Sequence, residues 1–176
     1  MKQIIDAAEL NRLIDRLAAD IASRNKKEKN IALVGIKRRG VPLAERLAAR
    51  LVKKRAGEIP VGAIDITLYR DDLQLVAETP IVRGTEIAFD INGRTILLVD
   101  DVIYTGRTTR AALASLLDFG RPKAIRLAVL IDRGRRELPI QPDFTGKTIE
   151  TRRDDLVDIC LEEEDGKDGV FLTLRK

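Results

Sequence analysis

Histidine is absent from this chain of 176 residues. That removes a histidine general base, a Ser-His or Cys-His nucleophile pair, and imidazole ligation of a metal. Any metal should be a hard cation held by oxygen atoms. Cysteine occurs once, at Cys160, so no internal disulfide can form, and the thiol is expected to be a small core side chain. Aromatic residues make up only 3%. The core must then be mostly Leu, Ile, Val and Ala, which suits parallel strands buried on both faces. Runs of about 18 apolar residues are missing, and Met1 to Asp20 is too acidic and too interrupted for a signal peptide. A cytoplasmic protein with no membrane partner is expected. Neither a P-loop nor a G-x-G-x-x-G fingerprint is present.

What remains is 44% hydrophobic and 34% charged, the balance of an ordinary globular chain rather than a disordered one. The length suits a single domain spanning 1–176. A net charge of +4 permits an anionic substrate or nucleic acid without demanding either.

Asp6 to Arg24 reads as an amphipathic helix. Asp6 and Glu9 have capping-box spacing, and Leu10, Leu13, Ile14, Leu17 and Ile21 make one stripe. "IALVGI", Ile31 to Ile36, suits a doubly buried strand. Pro42 is expected to open the next helix at its first position, with Leu43, Leu47 and Leu51 inward. Val61 to Tyr69 alternates and is β-rich. Arg70 to Glu86 is polar and aperiodic, and a loop of about 17 residues in a compact domain is usually functional. "TILLV" is a strand, Thr108 to Phe119 a helix closed by a left-handed Gly120, and Ala124 to Ile131 another strand. From Asp132 to Lys176 the chain is irregular, with short strands near Leu156–Cys160 and Val170–Leu174. The acidic tract Glu162–Asp165 reads as a solvated turn. The pattern argues for an α/β fold, an open, mainly parallel sheet flanked by helices. Ligands of such sheets sit outside the carboxyl ends of the strands.

Two turns lie at such ends. In "TILLVDDVIYTGRTTRAAL", Asp100 and Asp101 precede Thr105, Gly106, Arg107, Thr108 and Thr109. A helix start with free N–H groups, a glycine and three hydroxyls makes a phosphate cradle. Paired carboxylates beside it suit the hydroxyls of a sugar carrying that phosphate, or Mg²⁺ bound through them. In "GIKRRG", Lys37, Arg38 and Arg39 cluster before Gly40. Three adjacent cations repel one another unless an anion or solvent relieves them, and pyrophosphate would.

These residues resemble a known family. "ILLVDDVIYTGRT" matches the phosphoribosyl-pyrophosphate (PRPP) motif of the type I phosphoribosyltransferases. "LVGIKRRGVPLAERLA", "DITLYRDDL", "GRPKAIRLAVLIDRGRRELPI" and "DFTGKTI" are similar to the branch of bifunctional pyrimidine operon attenuators and uracil phosphoribosyltransferases. The resemblance runs from about Ile4 to Leu174.

It implies the type I phosphoribosyltransferase fold with a small irregular hood, elements of about 132–176. It implies conversion of uracil and PRPP to UMP and pyrophosphate, with Mg²⁺. By the same resemblance Asp100, Asp101 and Arg39 are catalytic, and Val102, Ile103, Tyr104 and Thr105 to Thr109 bind the 5-phosphate of PRPP. Lys37, Arg38, Arg39 and Gly40 bind pyrophosphate. Mg²⁺ arrives with PRPP near Asp100 and Asp101, with no direct protein ligand. Tyr69, Arg70, Asp71 and Asp72 begin a flexible lid of about 70–86. Asp132, Arg133 and Val157 lie at the base, under the hood. A pyrimidine-operon messenger RNA leader is a further implied partner, with UMP as co-effector. Arg16, Arg24, Arg136 and Lys147 would contact it, among basic clusters that also include Arg135, Arg152 and Arg153. A homodimer or homotetramer is implied.

The chain departs from the pattern of the RNA-binding members. "RGRRELPIQ" puts Arg135 for a His and Gln141 for an Arg, Arg38 replaces a Thr, and Ala19 stands where some members carry His. Few aromatics are available for base stacking. Two other readings stay open: a phosphoribosyltransferase for a purine or orotate, and an RNA-binding regulator that uses the nucleotide site only as a sensor.

Overall fold

The computed structural model describes residues 1–54, 57–67 and 84–175. Along the chain lie β1 (Lys2–Ile5), α1 (Ala7–Arg24), β2 (Ile31–Ile36), α2 (Gly40–Lys54), β3 (Val61–Ile64), β4 (Thr95–Ile103), α3 (Arg107–Leu117), β5 (Ala124–Asp132), β6 (Phe144–Thr148), β7 (Leu156–Cys160), α4 (Glu162–Asp165) and β8 (Gly169–Thr173). The expected lid residues Tyr69, Arg70, Asp71 and Asp72 fall outside the described residues.

α1 starts where its cap predicts, with the Glu9 N–H donating to the Asp6 carboxylate at 2.7 Å. The Glu9 carboxylate takes a longer-range partner, Lys147 Nζ at 2.8 Å, and ties α1 to β6. The stripe Leu10, Leu13, Ile14, Leu17 and Ile21 is buried. At about 1.5–3 kcal/mol per buried large side chain, that burial outweighs intrinsic propensity in holding the helix.

The main sheet is entirely parallel, in the order β3-β2-β4-β5-β6. Successive side chains leave opposite faces of a strand. Leu33, Leu97, Val99 and Leu130 therefore join one core under α1 and α2, while Ala32, Val34, Ile96, Leu98 and Val129 join a second with Ala112 and Leu116 of α3. From β2 the chain crosses to β3 on one side, and from β4 to β5 on the other. The winding reverses between β2 and β4, and a crevice opens at their carboxyl ends. Both candidate turns leave there.

Several boundaries differ from the sequence reading. α2 begins at Gly40, which makes Pro42 its third residue. The missing N–H still falls among the first four, which have no partner inside the helix. β3 stops at Ile64, short of Tyr69. β4 runs past "TILLV" and through both carboxylates, because β5 pairs beside it as far as Ile103 opposite Asp132. α3 ends at Leu117, closed by a tight turn in which the Phe119 N–H donates to Leu116 O at 3.1 Å. Gly120 therefore follows the helix end instead of capping it, with its Cα against Asn92.

Two strands carried no sequence signal. β6, "FTGKT", has one large apolar side chain, yet pairs in parallel with β5 at the sheet edge. β1 pairs antiparallel with β8, and β8 with β7, in a separate sheet of order β1-β8-β7. The hood is thus redistributed: its expected first part, through Thr148, belongs to the main sheet, and the chain's first strand joins the small one.

The acidic tract is solvated as read, with Glu162, Glu163 and Glu164 exposed, but it is tied to the body of the fold. It forms α4, and Arg46 of α2 forks two acidic side chains around it. Arg46 reaches Glu163 at 2.6 and 2.8 Å and Asp168 at 2.8 Å through two nitrogens. Arg46 and Asp168 are largely shielded, so Arg46→Met leaves a carboxylate poorly solvated and unpaired. The variant is expected to lose about 2 kcal/mol in urea unfolding, less than a fully buried broken pair would cost. A loss under about 0.5 kcal/mol, the scale of an exposed pair, would contradict this. Among the described residues no helix is long and apolar enough to cross a membrane.

Candidate active site

A cleft of about 380 Å³ lies at the winding reversal. Lys37, Arg38, Arg39, Asp100, Asp101, Val102 and Thr108 line it, together with Asp65, Ile66 and Thr67 after β3. The two turns singled out in the sequence therefore face one space. The β3 contribution was not foreseen, because nothing in "DIT" separates a cleft wall from a strand. A larger groove of about 680 Å³ lies near the start of β2, among Ala19, Ser23, Lys26, Lys29 and Lys54. It contains none of the paired carboxylates and sits at the wrong end of the strands for an α/β ligand site.

Asp100 is buried and Asp101 half-buried. The Asp100 carboxylate accepts the Asp101 N–H at 3.0 Å, and Asp101 accepts the Val102 N–H at 2.9 Å. Burial pushes the Asp100 carboxyl well above the ordinary aspartate range, and the neighbouring Asp101 charge adds to the rise. Burial raises Asp101 as well, against the pull of its hydrogen bonds and of Arg39. Two carboxyls raised this way favour hydroxyl donors or a cation beside them.

The turn from Thr105 to Thr109 is braced from behind. Gly106 caps α3 at φ 92, a left-handed conformation in which a side chain is strained. The Thr105 carbonyl accepts N–H groups from Glu137 and Leu138 at 2.9 and 3.1 Å, and Arg107 Nε pairs with Glu137 at 2.9 Å. Thr108 is exposed and Thr105 half-buried, whereas Thr109 is 2% exposed. The open hydroxyls of the cradle are therefore Thr105 and Thr108. Ile103 is buried and Val102 packs on the core, so these two shape the loop from its apolar side.

In the basic turn each cation already has a carboxylate. Lys37 meets Glu86 at 3.1 Å, Arg38 meets Glu164 at 3.5 Å, and Arg39 forks Asp165 at 2.9 and 2.8 Å. The mutual repulsion read from "KRRG" is relieved by acidic side chains distant in sequence. Gly40 is buried where a Cβ would lie 2.5 Å from Val99 O, so this turn sits directly against the strand that carries Asp100.

The residues expected near a base are largely occupied. Arg133 is 7% exposed. It donates to Thr151 Oγ1 and to the carbonyls of Arg152 and Asp155, and lies 4.1 Å over the Tyr104 ring. The Tyr104 hydroxyl in turn donates to Arg153 O at 3.1 Å. Asp132 pairs with Arg136 at 2.6 Å and accepts the Gly134 N–H at 2.8 Å. Val157 is in the core. These side chains build a wall joining the phosphate loop to the 151–155 segment. Of the residues expected to meet RNA, Arg16 is exposed. Arg24 stacks on Phe144 at 4.5 Å, Lys147 pairs with Glu9, and Arg136 also donates to the Tyr104 carbonyl at 3.0 Å.

A phosphoribosyl transferase domain profile matches residues 1–163. The bifunctional protein PyrR of Roseiflexus sp. (strain RS-1) is 58% identical over 172 residues, 97% of this chain and 94% of that protein. A protein of the same name from Thermus thermophilus is 51% identical over 174 residues, 99% of this chain and 96% of that protein. Among solved structures, the hypoxanthine phosphoribosyltransferase of Trypanosoma cruzi superposes with a TM-score of 0.73 at 18% identity, over 98% of this chain and 95% of that one. That likeness is one of fold.

Proposed function

This chain belongs to the phosphoribosyltransferase family, in the group of bifunctional PyrR proteins, and from that premise we propose how its cleft works. It transfers the phosphoribosyl group of PRPP to uracil, giving UMP and pyrophosphate, and regulates pyrimidine genes through UMP-dependent binding of operon leader RNA. The observation that carries the catalytic reading is the meeting of Asp100 and Asp101, the glycine-capped start of α3 and the basic turn around one cleft.

In the reaction the bond from the anomeric carbon to pyrophosphate breaks with its electron pair. A pair from the uracil ring nitrogen forms the new bond, and that nitrogen loses its proton. The transition state has oxocarbenium character, as in glycoside chemistry. Its barrier depends on positioning and on stabilising the departing anion, so no histidine base is required. Thr105 to Thr108 and the N–H groups at the start of α3 hold the 5-phosphate. Asp100 and Asp101 accept hydrogen bonds from the ribose hydroxyls, and Lys37, Arg38 and Arg39 receive pyrophosphate.

The donor set fits a hard cation that comes with substrate. Two adjacent carboxyls are both raised by burial, and among the described residues no three acidic, cysteine or histidine side chains form a metal cage. Mg²⁺ carried on PRPP would supply positive charge for the leaving group, beside Asp100 and Asp101. Cytoplasmic location and a homodimeric or homotetrameric assembly belong to the same reading.

The test is UMP formation from uracil and PRPP with Mg²⁺, with hypoxanthine and orotate as control bases. Turnover with uracil alone is expected, and its absence would sink the assignment. For the regulatory arm, titration of leader-RNA binding against salt should show UMP-dependent affinity that falls linearly on log axes. Binding indifferent to UMP would count against attenuation. Arg24, Lys147 and Arg136 have internal partners, so RNA phosphates must displace or share them.

A further inference from the structure

We propose that Asp165, on α4, is a positioning residue for Arg39 and through it sets the protein's hold on the pyrophosphate end of PRPP. The proposal rests on the phosphoribosyltransferase reading of the cleft.

Arg39 is the last residue before α2 and lines the cleft. Its contact with Asp165 is side-on: Nε donates to Oδ2 at 2.9 Å and Nη2 to Oδ1 at 2.8 Å. That engages one edge of the guanidinium plane. The edge carrying Nη1 has no part in the fork, and the side chain remains 40% exposed. A guanidinium recognises a phosphate through the orientation of its plane, so a fork fixed on one edge presents the other already aligned. The hydrogen bonds to Asp165, with a smaller contribution from the Asp101 charge, raise the guanidinium's hold on its proton.

Asp165 is itself immobilised. Its Oδ2 also accepts the Leu161 N–H at 2.9 Å, and the Arg39 pairing keeps its carboxyl down at about 2, so it is charged at every working pH. α4 does not need Asp165 to stay docked, because Arg46 already fastens Glu163 and Asp168 to α2. Glu164 repeats the contact more loosely on Arg38, at 3.5 Å. An acidic turn that faces the pyrophosphate loop would repel pyrophosphate if its charges were bare. Paired as they are, they orient the cations that attract it.

The experiment is steady-state UMP formation with pyrophosphate as product inhibitor. Asp165→Asn is expected to raise KM for PRPP and the inhibition constant of pyrophosphate about tenfold, with KM for uracil within twofold, the scale of one lost alignment of a charge-assisted contact. Glu163→Gln loosens the same turn without touching Arg39 and should leave pyrophosphate inhibition at the parent value. In an Arg39→Lys background Asp165→Asn should add less than twofold, since residues acting through one contact are not additive. Asp165→Glu keeps the charge but displaces the fork, and should fall about threefold from the parent in the same direction. If Asp165→Asn does not fold, this variant decides the matter.

Four outcomes would overturn the proposal: parental pyrophosphate inhibition in the Asp165 variants, an equal rise in KM for uracil, a full additive loss beside Arg39→Lys, or the same phenotype from Glu163→Gln. No UMP formation by the parent would instead defeat the underlying activity. Calorimetric binding of pyrophosphate with Mg²⁺ then tests Asp165 separately, and equal affinity of parent and Asp165→Asn would overturn its role.

Discussion

Asp100→Asn and Asp101→Asn are each expected to lower kcat/KM for UMP formation by about 10²- to 10³-fold, the range for removing one preorganised polar contact from a reacting centre. Neither should unfold the protein, and Asp100→Asn should make the ligand-free form more stable above neutral pH. The reason is burial. Asp100 keeps its proton well above the ordinary aspartate range, whereas in the unfolded chain it loses that proton near pH 4. Over that interval the folded state binds more protons, so its stability falls as pH rises. What this group contributes is fully present below about pH 4 and is lost as pH climbs through the raised folded value. Asparagine has no proton to lose, so that part of the slope should vanish. Thermal melts from pH 4 to 8, run beside the kinetics, check both halves. Unchanged kinetics in both variants would refute the ribose assignment, and a parental pH slope in Asp100→Asn would refute the electrostatic one.

Gly35→Ala is expected to cost about 3 kcal/mol and lower the melting temperature by roughly 6–12 °C for a chain of this size. Gly35 sits in β2 directly under the start of α2. A Cβ there would be 2.5 Å from Val41 Cα and would also strike the Gly40 carbonyl, and both obstacles are backbone. Relief requires β2 and α2 to part. Gly40 in turn rests on Val99, one residue before Asp100, so the displacement reaches the basic turn and the carboxylates together. Activity should fall more than stability suggests, by about 10²-fold for a shift near 1 Å. Thermal melting and kcat/KM measured on the folded fraction distinguish this from simple unfolding. A variant that melts like the parent would mean the close approach relaxes freely.

The fold was largely legible where burial writes a period. The stripe of α1 and the apolar runs of β2, β4 and β5 each mark one residue set as interior, and those elements form where they are read, with β4 extending further. The reading failed where an element is held by its neighbours. β6 has Thr, Gly and Lys in its middle and is a strand because β5 offers an open edge. β1 needs β8, which lies some 165 residues away in the chain. The "EEED" tract has no apolar signal, and its helical turn is fastened by Arg46 of α2, 117 residues away in the chain.

The site divides in the same way. "VDDVIYTGRT" names its own chemistry, because the glycine, the hydroxyls and the carboxylates are local to one strand-to-helix turn. The basic turn was visible as charge, but its partners were not, since Glu86, Glu164 and Asp165 reach it only through folding. Arg133 is expected from the sequence resemblance to lie at the base. In the fold it is a buried brace, because Thr151 and the carbonyls of Arg152 and Asp155 accept from its Nε and Nη2. By itself, then, the sequence determined a parallel α/β sheet and a turn of paired carboxylates, glycine and hydroxyls at the end of its central strand, since local spacing and burial encode both. Only the tertiary structure decided which carboxylate holds which cation, because an ion pair is chosen by proximity in space and leaves no periodicity along the chain.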